Sequence, residues 1–211
     1  MPIDYSLYLV TDRSILKGKD IFTAVEEALE GGVTLLQLRE KDITSRDFYD
    51  LAIKMKKLTK PFNVPLIIND RLDIALAVDA DGLHIGQEDL PLKIARKLLG
   101  PSKILGYSVS NIQQAVYGEQ NGADYLGAGS VFPTGSKADA GNPIGLNNLK
   151  KIKENVNIPV VGIGGIGITN IREVKSTGID GVSLISAILG NPNIKEVTGD
   201  LLNIWREEWK K

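Results

Sequence analysis

The chain contains no cysteine and only one histidine. The first absence excludes disulfides, thiolate metal sites and a cysteine nucleophile, and is compatible with a reducing compartment. The second counts against metal centres built on several imidazoles. Acidic and basic residues nearly balance, 26 against 25, and Lys and Arg are dispersed, leaving no electrostatic footprint for nucleic acid or an anionic membrane. No apolar run approaches the roughly 18 residues that a membrane span requires. The opening "MPIDYSLYLVTDR" lacks the charged and apolar regions of a signal peptide, so a soluble, cytoplasmic protein is expected. No linker, low-complexity tract or charge run divides the chain. With 211 residues and 43% hydrophobic content, one domain spanning 1–211 is predicted around one sizeable core.

What the sequence does contain is a regular alternation. Short apolar runs lie at 7–12, 34–40, 65–70, 82–86, 104–109, 125–131, 159–165 and 181–186, separated by stretches of helical period. In "DIFTAVEEALEGG", Ile21, Ala24, Val25, Ala28 and Leu29 share one face, Asp20 caps the start and two glycines stop the helix. Eight strand-helix units in 211 residues leave about 26 residues each, which predicts a compact (β/α)8 TIM barrel in the α/β class. An open doubly wound sheet is the alternative. The barrel is preferred because polar residues gather at the C-terminal ends of many strands, whereas an open sheet collects them at one or two switch points. The terminal "NIWREEWKK" reads as a last helix carrying both tryptophans.

Several of those strand ends carry candidate chemistry. With period 2, Gln37, Arg39 and Lys41 point to one side and Leu38 and Glu40 to the other, placing two cations and an amide near the top of the lumen. The plainer alternative pairs both cations with Glu40 and Asp42 as rim charges. Asp70 and Asp89 follow consecutive strands, so both face one stretch of the rim. Two hard oxygen donors without imidazole or thiolate suit Mg²⁺. A helix cap at Asp89 and an ion pair of Asp70 with Arg71 or Arg39 are the structural alternatives. "GIGGIG" fits a dinucleotide fingerprint through Gly162, Gly164 and Gly167, but it follows the seventh strand and no acidic residue ends the next. Backbone N–H groups of Gly164, Gly165, Ile185 and Ser186 better suit the phosphate site that barrels build after strands seven and eight. His84, mid-strand, reads as a hydrogen-bonded core residue rather than a catalyst. Lys137, in "PTGSK" after strand six, would meet a second anion. Two anion sites beside a divalent metal suggest two substrates, one a diphosphate, and a transferase that expels pyrophosphate.

The segments "YLVTD", "LLQLREKD", "INDRLDIALAVDADGLHIGQEDLP", "LGYSVSN", "DYLGAGSVFPTGSKADA", "VVGIGGI" and "GVSLISAI" resemble the thiamine phosphate synthase family over nearly the whole chain and in order. The resemblance implies condensation of 4-amino-5-hydroxymethyl-2-methylpyrimidine diphosphate with 5-(2-hydroxyethyl)-4-methylthiazole phosphate. By that resemblance Gln37, Leu38, Arg39, Glu40, Lys41, Asn69, Ser108 and Lys137 hold the pyrimidine diphosphate, with Arg39, Lys41, Ser108 and Lys137 as the expected catalytic set. Asp70 and Asp89 hold Mg²⁺, and Thr134, Gly135, Ser136, Gly165, Ile185 and Ser186 take the thiazole phosphate. The implied mechanism is dissociative, pyrophosphate leaving before the thiazole nitrogen attacks. Ser136 stands where the family usually has threonine, which keeps the hydroxyl. Two competing functions are a thiazole tautomerase of the same fold and a non-catalytic thiazole phosphate sensor. The resemblance also leans towards a homodimer.

Overall fold

Each predicted strand forms, usually a residue or two shorter than the apolar run that announces it. The computed structural model describes residues 2–135 and 142–207. Its strands are β1 (Leu7–Val10), β2 (Leu35–Leu38), β3 (Leu66–Asn69), β4 (Gly82–Ile85), β5 (Ile104–Val109), β6 (Tyr125–Gly129), β7 (Val160–Ile163) and β8 (Gly181–Leu184). They pair in parallel in chain order, and β8 closes on β1 through Leu7↔Val182 and Tyr8↔Ser183. The expected (β/α)8 barrel is therefore the fold. Among the described residues the helices are α1 (Ile21–Glu30), α2 (Ser45–Thr59), α3 (Leu72–Ala77), α4 (Leu92–Leu99), α5 (Ile112–Gln120), α6 (Gly145–Glu154), α7 (Ile171–Lys175), α8 (Ser186–Leu189) and α9 (Ile194–Arg206). None of them is long and apolar enough to cross a membrane.

Strand parity sorts two cores. Leu7, Leu9, Leu36, Leu38, Leu66 and Ile68 pack outward beneath the helices, while Tyr8, Val10, Leu35, Ile67, Tyr125 and Val161 fill the lumen. Both faces of every strand are thus covered, which is why the strands read as unbroken apolar runs. α1 begins where Asp20 Oδ2 accepts from the Thr23 amide at 3.0 Å, and its five predicted apolar residues are the buried ones. α9 contains Trp205; Trp209, the other tryptophan expected there, lies outside the described residues.

At the N-terminal end of the barrel the residue just before each even-numbered strand is Thr34, Asp81, Asp124 or Asp180. Each accepts a hydrogen bond from a backbone N–H at the start of the strand before: Leu7, Leu66, Leu105 and Val160 respectively. These contacts satisfy strand amides at an end with no chemistry. Asp180 is thereby a structural residue.

Candidate active site at the mouth of the barrel

A cavity of about 340 Å³ opens at the C-terminal ends of the strands. Of the residues expected to bind substrate, Gln37, Arg39, Asn69, Ser108, Thr134, Gly165, Ile185 and Ser186 line it. Leu38 is fully buried in the outer core, so its side chain faces the helices. Glu40 leaves the cavity to accept from Arg13 Nε at 2.7 Å. Gly135 is exposed beside Thr134. Ser136 and Lys137 lie outside the described residues.

The wall formed by β2, β3 and β4 carries the charge. Thr11 Oγ1 accepts from the Arg39 amide at 2.9 Å, pinning the backbone just past β2. The Arg39 side chain is only 13% exposed, its NH1 lies 3.9 Å from Asp12 Oδ2, and its buried Nε has no hydrogen-bond partner among the described residues. A buried donor without an acceptor is costly, so this group is suited to an incoming anion. Neither cation pairs with Glu40 or Asp42; Lys41 Nζ instead meets Asp70 Oδ2 at 2.7 Å. Asp70 holds a left-handed backbone, φ +60°, a conformation aspartate tolerates better than most residues. Its amide donates to the His84 carbonyl at 2.8 Å, so the turn after β3 is tied to β4.

Asp89 does not cap α4, whose N-cap is Pro91. It turns back to accept from the Gly86 amide at 2.6 Å. That places its carboxyl against Asp70. Burial pushes both acids up, but the hydrogen bond and charge of Lys41 more than reverse this for Asp70, whose pKa falls below the ordinary carboxylate value. For Asp89 burial and the neighbouring Asp70 charge win over the Gly86 amide, and its pKa rises. Two acids driven apart in this way share one site in which Lys41 offsets the charge of Asp70 but not that of both. Among the described residues no third His, Cys, Asp or Glu joins them. The pair fits Mg²⁺, which typically takes one or two protein carboxylates and leaves its other positions to water and phosphate oxygens.

Across the cavity, the loop after β6 is laced onto the turn after β7: the Val131 amide donates to Ile163 O at 2.8 Å and the Phe132 amide to Gly164 O at 3.0 Å. Gly164 (φ +97°) and Gly165 (φ +66°) form that turn. A Cβ on Gly165 would come 2.7 Å from Phe132 Cβ and from Pro133 O, so the close approach itself requires glycine. Ile185 and Ser186 adjoin it at the end of β8. This wall offers backbone and hydroxyl groups and no acidic side chain among its cavity-lining residues.

The floor is a chain of polar side chains that sequence reasoning missed. Gln37 Nε2 donates to the Tyr8 hydroxyl at 2.6 Å, the Tyr8 and Tyr125 hydroxyls are hydrogen-bonded at 2.7 Å, the Tyr125 hydroxyl lies 2.8 Å from His84 Nδ1, and His84 Nε2 lies 2.9 Å from Ser108 Oγ. Tyr125 is fully buried, and burial pushes its hydroxyl pKa well above the usual value. His84 is the hydrogen-bonded residue expected, although it also lines the cavity. The available signal was parity: Tyr8, Gln37, His84, Ser108 and Tyr125 all fall on inward positions, with Gly106 and Gly127 beside the large rings.

Residues 7–188 match the family described as thiamine monophosphate synthase. A thiamine-phosphate synthase from Desulfitobacterium hafniense strain Y51 is 61% identical over 206 residues, covering 98% of this chain and 100% of that relative. One from Alkaliphilus oremlandii strain OhILAs is 56% identical over 199 residues, covering 94% and 95%. The solved structure of thiamine phosphate pyrophosphorylase from Pyrococcus furiosus superposes with a TM-score of 0.88 at 43% identity, covering 96% of each chain.

Proposed function

The chain belongs to the thiamine monophosphate synthase family and is a transferase, and from that premise we propose that it joins the pyrimidine diphosphate named above to the thiazole phosphate, giving thiamine phosphate and pyrophosphate. The observation that carries this reading is the charge layout of one cavity. Arg39 and Asn69 line one side of it, Lys41 and the crowded pair Asp70 and Asp89 lie just beyond them past the ends of β2, β3 and β4 without lining it, and the glycine turn at 164–165 lines the other side.

In this scheme Arg39, Lys41, Asn69, Ser108 and Lys137 hold the diphosphate, with the pyrimidine ring over the floor beside Gln37. Thr134, Ser136, Gly165, Ile185 and Ser186 hold the thiazole phosphate. Asp70 and Asp89 would hold Mg²⁺, which supplies positive charge to diphosphate oxygens when bound. The bond between the pyrimidine methylene carbon and the diphosphate oxygen breaks first, its electron pair leaving on oxygen. The lone pair of the thiazole nitrogen then captures the pyrimidine methyl cation. Arg39, Lys41 and Lys137 act by stabilising negative charge as it grows on the departing group. No proton need be abstracted, which agrees with a floor of tyrosines whose pKa values are raised by burial. The proposed setting is the cytoplasm and the proposed assembly a homodimer.

The test is to mix both substrates with Mg²⁺ and quantify products. Pyrophosphate and thiamine phosphate should appear in equal amounts; neither appearing removes the reading, including its choice over a tautomerase or a sensor. Arg39→Lys is expected to raise KM for the pyrimidine diphosphate about tenfold or more, because an ammonium cannot reproduce a bidentate guanidinium contact. KM for the thiazole phosphate should stay unchanged. Kinetics equal to wild type would make Arg39 a mere rim charge.

A further inference from the structure

With the Gln37 amide turned so that its nitrogen faces Tyr8, the hydrogen bonds of the floor take a single direction. A carboxamide nitrogen only donates, so the Tyr8 oxygen accepts from Gln37 and sends its own hydrogen to its other partner, Tyr125. The Tyr125 oxygen has then accepted, and its hydrogen goes to Nδ1 of His84. Nδ1 must offer a lone pair, which leaves the ring hydrogen on Nε2, directed at Ser108 Oγ. Ser108 therefore accepts from the ring, and its own hydrogen is turned towards the cavity that it lines. The opposite order would bring two donors to the Tyr8 oxygen and leave the buried Tyr8 hydrogen with no acceptor.

We infer that Tyr125, which is fully buried and not among the cavity-lining residues, is a positioning residue for the transfer reaction: it locks His84 as the Nε2–H tautomer and so presents the Ser108 hydroxyl to the pyrimidine diphosphate as a hydrogen-bond donor. The position of the ring is fixed by packing as well as by hydrogen bonds. The Tyr125 ring packs at centroid distances of 5.1 Å from Tyr5, 5.8 Å from Tyr8, edge to face, and 5.5 Å from His84. Glycines at 106 and 127 make room for the rings of Tyr125 and His84 on the inner surface of β5 and β6. A chain of this kind gives Ser108 a polarity that its own position does not dictate, since an isolated serine hydroxyl rotates to suit whichever partner arrives. The substrate half of this inference rests on the proposed function; the tautomer half does not.

Two measurements test it. His84 is the only histidine, so the ¹⁵N spectrum of histidine-labelled wild type reads one ring without ambiguity. The free protein should show a protonated Nε2 and a bare Nδ1; a hydrogen on Nδ1 overturns the relay. This readout needs no substrate, so it stands apart from any failure of the wild type to make thiamine phosphate, which would strike the proposed function instead. In kinetics, Tyr125→Phe should raise KM for the pyrimidine diphosphate about tenfold, the size of one lost hydrogen bond, with KM for the thiazole phosphate unmoved. Adding Ser108→Ala in that background should cost far less than Ser108→Ala costs alone, because both substitutions remove the same contact. Full additivity of the two, or an equal rise in both KM values, overturns the positioning role.

Discussion

Asp70→Ala and Asp89→Ala should each lower turnover by about a hundredfold or more, the scale of losing several kcal/mol of charge stabilisation at a departing diphosphate. The two carboxyls are held together at some cost. Asp70 occupies a left-handed backbone conformation, and Asp89 is pushed up in pKa by burial and by its neighbour's charge. The fold gains little from the pair: removing one acid relieves repulsion, and the Lys41 ion pair lost with Asp70 is half exposed and worth about 1 kcal/mol at most. The expected signature is thus a large loss of rate with little change in Tm. EDTA should reproduce the loss in wild type, and added Mg²⁺ should restore it. Full activity of either variant, or of wild type in EDTA, would remove the metal from the scheme.

Gly106→Ala is expected to be strongly damaging for a single added methyl. A Cβ at this position would overlap the ring and hydroxyl of Tyr125 and Nδ1 of His84. Tyr125 cannot swing aside, being fully buried between Tyr5, Tyr8 and His84. Overpacking of this kind should cost about 3 kcal/mol or more, lowering Tm by about 6–12 °C in a chain of this size. Gly167→Ala is the control, since its Cβ would meet only Ala187 Cβ at 3.8 Å, and its Tm should match wild type. Equal thermal unfolding of the Gly106 and Gly167 variants would mean that the floor is loosely packed and cannot hold a directed hydrogen-bond chain.

The sequence made the barrel legible because burial on both faces writes each strand as an apolar run, and because helix starts such as Asp20 carry their caps locally. It made the rim legible for a similar reason: Arg39, Asn69, Asp70, Asp89 and Ser108 are polar residues at strand ends, where no core explains them. The floor was hidden for the opposite reason. Tyr8 and Tyr125 look like core residues in an apolar run, and their hydroxyl contact spans 117 positions, a separation that no local pattern encodes. Pairing among rim charges was also out of reach. Glu40 could equally have joined Arg39, but Arg13 takes it instead, and Lys41 crosses to Asp70 over a separation of 29 positions. The alternative of a helix cap at Asp89 does not hold because α4 starts later, after Pro91, and that carboxylate turns back to Gly86.

The central claim is that one barrel mouth holds two anionic substrates on opposite walls, with the cation on one wall only. Calorimetric titration of the wild-type protein with each substrate separately, in Mg²⁺ and again in EDTA, tests it directly. Binding of the pyrimidine diphosphate should weaken by tenfold or more in EDTA, the loss of about 1.4 kcal/mol or more of charge neutralisation beside Asp70 and Asp89, while binding of the thiazole phosphate at the glycine turn should be the same in both buffers. Equal weakening of both ligands, or no effect of EDTA on either, would contradict the division of the site.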